Sequence, residues 1–171
     1  IPIAALGAIK VISLDYRMAP HHQHPAARDD LITVYKTLLD TYSPQQIGIY
    51  GCSAGAMIIG QAMVELKTHG LPQPAAIAML CGAPYPWQLG DASAFVGALQ
   101  NAPMPGPEAF AYFKPEDCNH PSAFPALKPE LLATFPSSLL LSSTRDFCMT
   151  SVIYTHAQLV QRGVSAELHL W

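Results

Sequence analysis

Residues 51–55, with the sequence GCSAG, constrain the fold of this chain more than any other segment. They follow a short apolar run at 47–50 and precede an apolar stretch at 56–59 that has the character of a helix. A strand, a G-x-S-x-G turn and a helix in this order are typical of the nucleophile elbow, in which a serine hydroxyl projects from a tight turn at the top of a sheet. The pattern therefore predicts that Ser53 is a nucleophile. The alternative is an ordinary strand-to-helix turn in which Ser53 only caps the helix.

The neighbours of Ser53 suit such a turn. Gly51 precedes the serine, and Ala54 and Gly55 follow it, so only small side chains surround the point of closest approach. The first backbone N–H groups of the helix would point at a bound carbonyl oxygen, where the positive end of the helix dipole stabilises an oxyanion. The turn is thus expected to supply both a nucleophile and hydrogen-bond donors.

The composition favours a sheet that is buried on both faces. Half of the 171 residues are hydrophobic and 12% are charged, as expected for parallel strands covered by helices. A chain of this length is most simply one domain, residues 1–171. The net charge is −3 and the sequence contains no run of basic residues, which argues against nucleic acid as a partner. Glycine, proline or a charge interrupts every apolar stretch within about ten residues, too short a length to span a membrane.

Strand and helix patterns alternate along the chain. The predicted strands are 9–15, 47–50, 75–80, 138–142 and 164–171, and the predicted helices are 26–39, the elbow helix up to Gly70, and 149–162. Between them lies an insertion rich in proline and glycine, about 84–136, with short helices expected at 92–99 and 107–113. This alternation predicts an α/β fold with a mostly parallel sheet flanked by helices.

The insertion carries a set of aromatic residues that could form the wall of a pocket. These are Tyr85, Trp87, Phe95, Phe110, Tyr112 and Phe113. A small apolar group of a ligand would fit among such side chains. The alternative is that these residues only pack the insertion onto the rest of the domain.

An acid and a base should accompany a catalytic serine, and in elbow-type hydrolases the acid follows the serine and the base follows the acid. Asp146 follows the apolar run at 139–141 and fits the acid; otherwise it is a solvated loop carboxylate. No histidine fits the base equally well. His156 lies within a predicted helix, His169 within a predicted strand, and His120 precedes the acid.

The histidines of the first loop do not predict a metal site. His21, His22 and His24 lie close together in sequence. They lack the helical or hairpin spacing that would converge their ring nitrogens on one ion, and no cysteine or carboxylate completes a ligand set. We expect no metal ion.

The four cysteines are far apart in sequence and form no CxxC pair, which argues against a zinc site or a dense disulfide framework. They are Cys52, Cys81, Cys118 and Cys148. Buried free thiols are the main expectation. A single disulfide between Cys52 and Cys81, at neighbouring strand ends, is the alternative.

Several motifs of this sequence, in the same order along the chain, resemble those of the hormone-sensitive-lipase-like family of α/β-hydrolases, especially its bacterial esterases. Residues 15–20 (DYRMAP) are similar to that family's D-Y-R-L-A-P loop, and 24–30 to its following F-P-A-A-x-x-D stretch. Residues 51–55 are similar to its G-D-S-A-G elbow, and the segment from 143 to 170 to its acid-bearing region and last strand. The resemblance covers nearly the whole chain and implies an α/β-hydrolase fold.

The same resemblance implies roles for individual residues. Ser53 would be the nucleophile, Asp146 the acid of the triad and the Ala54 N–H one donor of the oxyanion hole, with Gly51 and Gly55 completing the elbow. The implied reaction is hydrolysis of small carboxylic esters or lactones through an acyl-serine, without a cofactor. The loop at 16–20 would support the site rather than take part in the chemistry.

The sequence also departs from the family pattern. The H-G-G-G segment of the oxyanion hole is expected before Ile1, and the catalytic histidine after Trp171, so the chain is interpreted as a fragment, incomplete at both ends and inactive alone. Cys52 and His21 replace an acidic residue each. The alternative function is that of a non-catalytic, ligand-binding homologue, as in the gibberellin receptors. We expect a cytoplasmic protein, with terminal strands that could pair in a homo-oligomer.

Overall fold

Four parallel strands lie side by side in chain order: β1, Gly48–Cys52; β2, Ala76–Leu80; β3, Ser137–Ser142; and β4, Ala166–Leu170. The computed structural model describes residues 2–171. The register aligns the ends of the strands, since Cys52 pairs with Leu80, Leu80 with Leu141, and Ser142 with Leu170. The carboxyl ends of all four strands therefore share one edge of the sheet, as predicted for a parallel α/β domain.

The described residues form five α-helices. They are α1, Pro2–Gly7; α2, Ala26–Leu39; α3, Ala54–Thr68; α4, Asp91–Leu99; and α5, Met149–Gln161. Of these, α2, α3 and α5 pack against the sheet. Short 3₁₀ helices occur at Pro44–Gln46, Trp87–Leu89, Pro107–Ala109, Pro125–Leu127 and Pro129–Thr134. The predicted helices at 26–39, 92–99 and 149–162 are confirmed. Gly70, with a φ of 66°, follows the end of α3, as its glycine predicted.

The prediction of a helix over 107–113 is wrong, because only a three-residue turn, Pro107–Ala109, forms there. Pro107 starts this turn with its fixed φ, but Phe110 is already extended at φ −101° and ψ 126°. Lys114 precedes Pro115, a position that disfavours helical backbone. The segment therefore lacks the length on which a stable helix depends.

The prediction of a strand over 9–15 is also wrong. This apolar segment forms neither helix nor strand, and the side chains of Ile9 and Ile12 are 56% and 49% exposed. A strand is stable only when its backbone groups pair with a neighbour. Within residues 2–171, no strand lies along the outer edge of β1 to offer that pairing.

The main core lies between the sheet and helices α2, α3 and α5. Fully buried side chains from these elements include Tyr35, Ile59, Met63, Met79, Leu140 and Leu159. A second, smaller cluster belongs mostly to the insertion, and we call it the insertion cluster: Trp87, Phe113, Cys118, Ala123, Phe124 and Cys148. The insertion thus has its own packing centre beside the sheet.

The cysteines are all free thiols, so the expectation of unpaired cysteines is confirmed. Cys118 and Cys148 are buried, as predicted, whereas Cys52 and Cys81 are exposed. The expectation of burial fails for this second pair because both residues lie where strands leave the sheet at its carboxyl edge. None of the helices in the described part of the chain is long and apolar enough to cross a membrane.

Candidate active site

Ser53 lies in the turn between β1 and α3, with φ 54° and ψ −115°. Its backbone N–H donates to the Leu80 carbonyl at 2.8 Å, and its carbonyl accepts from the N–H groups of Ala56 at 3.0 Å and Met57 at 3.3 Å. A positive φ outside glycine costs about 1–3 kcal/mol and persists only where the surroundings enforce it. The sheet and the helix together hold Ser53 in a strained conformation, as expected for a nucleophile elbow.

The close approach at this turn depends on Gly51 and Gly82. A Cβ on Gly51 would lie 2.7 Å from the carbonyl carbon of Gly55, and a Cβ on Gly82 would lie 2.7 Å from the Ser53 carbonyl oxygen. A Cβ on Gly55 would have no atom within 4 Å. The expected steric need for a small residue therefore holds at Gly51 but not at Gly55, and the sequence analysis missed Gly82.

This contrast gives a matched pair of predictions. Gly51→Ala is expected to destabilise the protein by several kcal/mol, since its Cβ meets backbone atoms that cannot rotate away. Gly55→Ala should leave stability unchanged or raise it slightly, because alanine is favoured over glycine in helices by about 0.5–1 kcal/mol. Thermal unfolding of both variants measures the difference. Equal Tm values for the two would contradict this account of the turn.

The Ala54 N–H is available as a hydrogen-bond donor next to the serine. Ala54 is the first residue of α3, a helix of 15 residues. Across residues 2–171, this N–H has no acceptor within hydrogen-bonding distance. The N-terminal end of a helix carries a partial positive charge. This donor is therefore free for an anionic oxygen formed beside Ser53.

Ser53 and Ala54 open onto a cavity of about 360 Å³. Its wall is largely apolar and comes from the loop that precedes α2, from α3 and from the insertion. All the aromatic residues predicted for a pocket wall line it except Phe95, which is 58% exposed. Trp87 and Phe113 also belong to the insertion cluster, so both interpretations of the aromatic residues hold for these two side chains.

Asp146 follows β3 at the same edge of the sheet, and two hydrogen bonds fix its carboxylate. The buried Ser142 hydroxyl donates to Oδ2 at 2.7 Å, and the Cys148 N–H donates to Oδ1 at 2.9 Å. Partial burial raises the pKa of the Cys81 thiol, and the negative charge of nearby Asp146 raises it further. The carboxylate thus lies near the end of β2, the strand between β3 and the strand of the elbow.

The histidines lie away from this site. None of the seven in the chain lines the cavity next to Ser53. His156 Nε2 lies 3.3 Å from the Ala166 carbonyl, and His120 Nδ1 lies 2.8 Å from the Ser122 hydroxyl. His169 is an exposed residue of β4 and stacks on Trp171. The expectation that none of these three is the base agrees with their positions.

His24 is the most buried histidine, and its ring packs against Tyr112 and Phe113. Burial lowers its pKa, which favours the neutral imidazole. His21, His22 and His24 do not converge, and no group of three histidine, cysteine or acidic residues in the described structure could hold a metal ion.

An ion pair holds the loop that forms one side of the cavity. Arg17 Nη2 lies 2.7 Å from Asp30 Oδ1, and the Arg17 backbone N–H donates to Asp30 Oδ2 at 2.8 Å. Hydrogen bonding to Arg17 lowers the pKa of the Asp30 carboxyl. Since Tyr16, Arg17 and Met18 line the cavity, α2 supports this wall through Asp30. The sequence shows that both residues are present, but it does not indicate that their side chains form an ion pair.

A parallel sheet with a strained serine turn and a carboxylate at its carboxyl edge is an arrangement typical of nucleophile-elbow proteins. The family model described as alpha/beta hydrolase fold matches residues 2–171. The chain therefore belongs to the α/β-hydrolase family.

Individual relatives narrow this assignment. The chain is 35% identical over 69 residues to versiconal hemiacetal acetate esterase of Emericella nidulans, a match covering 40% of this chain and 24% of that protein. The crystal structure of esterase E25 superposes with a TM-score of 0.87 at 32% identity, covering 98% of this chain and 52% of that one.

A crystal structure of an esterase from the bacterial hormone-sensitive lipase family superposes with a TM-score of 0.88 at 25% identity, covering 99% of this chain and 58% of that chain. The resemblance to that family is therefore confirmed. This chain spans little more than half the length of these two solved esterases.

Proposed function

We propose that the whole protein hydrolyses small carboxylic esters or lactones through an acyl-serine intermediate on Ser53. The observation that carries the proposal is the elbow itself: Ser53 is held at a positive φ, beside a free helix N–H and at the mouth of an apolar cavity. The esterase relatives support the same class of reaction. No cofactor is needed for this chemistry.

In the first half-reaction, Ser53 Oγ attacks the ester carbonyl carbon while a base takes the hydroxyl proton. The carbonyl oxygen becomes negatively charged and accepts a hydrogen bond from the Ala54 N–H, which has no protein acceptor to give up. Collapse of the tetrahedral intermediate expels the alcohol, which receives the proton. Water then attacks the acyl-serine by the same route and releases the acid.

Asp146 orients and stabilises the protonated base in this proposal. Its carboxylate is fixed by Ser142 and by the Cys148 N–H, and a fixed acceptor selects one orientation of an imidazole. In this proposal the base is a histidine, and none of the histidines described within residues 2–171 lines the cavity beside Ser53. By the same argument, these residues alone should show no ester turnover.

The cavity supports an apolar substrate of modest size. Its volume is about 360 Å³, and along its wall the Trp87 ring meets the rings of Phe110 and Phe147, each in an edge-to-face contact. A compact acyl or alcohol group would be desolvated there. We therefore propose esters with short apolar groups as the substrate class.

Two features suggest the setting of the protein. Four free thiols are typical of a reducing compartment, so we propose a cytoplasmic location. The outer edge of β4 pairs with no other strand in the described residues, and a second copy that pairs there would form a homo-oligomer.

A ligand-binding protein without catalysis is the second candidate. The observation that favours it is the lack of any histidine on the cavity wall in residues 2–171. Such a protein would keep the cavity and the elbow while Ser53 lost its base. The two candidates differ in the reactivity of Ser53, since a serine hydroxyl without a base is a poor nucleophile.

The test uses the protein produced from its complete coding sequence. A fluorophosphonate probe bonds to activated serines with loss of fluoride. We expect peptide mapping to locate the adduct on Ser53, and p-nitrophenyl butyrate to be hydrolysed. Binding of an ester analogue without an adduct or turnover would support the ligand-binding candidate instead.

A further inference from the structure

Two thiols flank the nucleophile elbow. Cys52 is the last residue of β1 and directly precedes Ser53, and Cys81 directly follows β2. Both are free and exposed. Neither takes part in the proposed ester chemistry, and Cys52 stands where the resembling family has an acidic residue.

The sheet register brings these cysteines within disulfide distance. Cys52 pairs with Leu80, the residue before Cys81. With strands about 4.8 Å apart and a rise of about 3.3 Å per residue, regular strand geometry would place the Cα atoms of Cys52 and Cys81 about 5.8 Å apart. Disulfides join Cα atoms that are about 4.4–6.8 Å apart. No large backbone movement is therefore needed to link them.

The conformation of Cys81 departs from that of a strand. Its φ is 52°, although its N–H still donates to the Leu141 carbonyl at 2.8 Å. In a regular strand, Cys81 would point to the opposite face from Leu80 and hence away from Cys52. Instead, the positive φ turns the backbone at Cys81, and the nearby Cys52 thiol adds to the rise that partial burial causes in the pKa of Cys81.

The other thiols are poor competitors for this pairing. Cys148 is buried, and burial raises its pKa to about 12, so it stays protonated at neutral pH. Cys118 is buried within the insertion cluster, where its thiol donates to the Lys114 carbonyl at 3.5 Å. A thiolate, not a thiol, attacks an oxidant.

We propose that Cys52 and Cys81 form an oxidisable pair whose disulfide slows the chemistry of Ser53. The oxidant is a hydroperoxide. The Cys52 thiolate attacks one peroxide oxygen, which breaks the O–O bond and gives a sulfenic acid and an alkoxide or hydroxide. The Cys81 sulfur then attacks the sulfenic sulfur, forms the S–S bond and releases water, with both cysteines oxidised and the peroxide reduced.

The disulfide would affect the elbow through backbone contacts. Gly82, next to Cys81, approaches the Ser53 carbonyl so closely that its Cβ would lie 2.7 Å from that oxygen. A disulfide fixes the two Cβ atoms at about 3.8 Å. It thereby ties residue 52, which directly precedes Ser53, to residue 81, which directly precedes Gly82, so that a small adjustment of either cysteine reaches the Ser53 backbone. Misplacing a reacting group by about 1 Å can cost about a hundredfold in rate. The effect on Ser53 rests on the proposed function, whereas formation of the disulfide does not.

The first arm of the experiment detects the bond itself. The complete protein is treated with hydrogen peroxide, denatured, alkylated and mapped without reduction. We expect a peptide that links Cys52 to Cys81 in the natural sequence and in the control Cys118→Ser, but not in Cys52→Ala or Cys81→Ala. Thermal unfolding confirms that each variant is folded. If both cysteines remain alkylatable, or if either pairs with Cys148, the proposal is overturned.

The second arm measures the rate of fluorophosphonate labelling at Ser53 before and after oxidation. We expect labelling to slow by about tenfold or more and to recover with dithiothreitol, as a small displacement of the elbow predicts. An unchanged rate in a protein that carries the disulfide would overturn the coupling to Ser53. If Ser53 is labelled in neither state, the proposed function fails, and the linked peptide alone decides whether the thiols pair.

Discussion

Replacing Ser53 with alanine is expected to abolish ester hydrolysis by the complete protein. Losing the nucleophile of a serine hydrolase typically costs about a millionfold in kcat. The alanine keeps the backbone hydrogen bonds of the turn, because these involve only the Ser53 N–H and carbonyl. Release of p-nitrophenol from a short-chain ester measures the loss. Ser122→Ala, an exposed serine of the insertion, is the matched control and should retain activity.

A second variant at the same position separates catalysis from structure. Ser53→Gly should lose activity equally but unfold at a higher temperature than Ser53→Ala, since glycine adopts the φ of 54° with little strain. If Ser53 only capped the helix, the two variants would change the stability of the protein but keep its activity. Residual turnover in both variants at the natural rate would contradict the assignment of Ser53.

Replacing Asp146 with asparagine is expected to lower kcat/KM by about ten-thousandfold, as found when the acid of a serine triad becomes an amide. The amide has a similar shape but can no longer stabilise a protonated imidazole. A neighbouring carboxylate raises the pKa of a histidine, so its loss should move the acidic limb of the pH profile to lower pH. Kinetics across a pH series measure both changes.

Ser142→Ala provides the graded comparison. It removes the hydrogen bond of 2.7 Å to Asp146 Oδ2 but leaves the carboxylate and the Cys148 N–H bond. A hydrogen bond to a charged group is worth about 1.5–3 kcal/mol, so a loss of about tenfold in kcat/KM is expected. If Asp146→Asn lost no more activity than Ser142→Ala, Asp146 would be a structural residue rather than the acid of the triad.

Local patterns in the sequence predicted the four strands and helices α2 to α5, but not α1. The helix at 26–39 was visible because its apolar residues repeat at helical spacing, and the elbow was visible because its glycines and serine occur between a strand and a helix. These signals are short in range. They also identified Ser53 and Asp146 as candidates, whose roles remain predictions.

Features that depend on distant contacts could not be read in this way. The apolar segment at 9–15 has the composition of a strand, but a strand needs a partner, and the sequence does not show whether one is present. Gly82 matters because it touches Ser53, and Ser142 because its hydroxyl meets Asp146. The exposure of Cys52 and Cys81 likewise depends on where neighbouring strands end.

Part of the cavity wall packs in the insertion cluster, whereas the elbow packs in the main core. Trp87 and Phe113 pack with Phe124 in this cluster, whereas Ser53 is held by β1, β2 and α3 of the main core. Trp87 and Phe113 can therefore change in size or shape without passing strain directly to the turn at Ser53. In evolutionary terms, the shape of this part of the cavity and the geometry of the serine turn can vary independently in this fold.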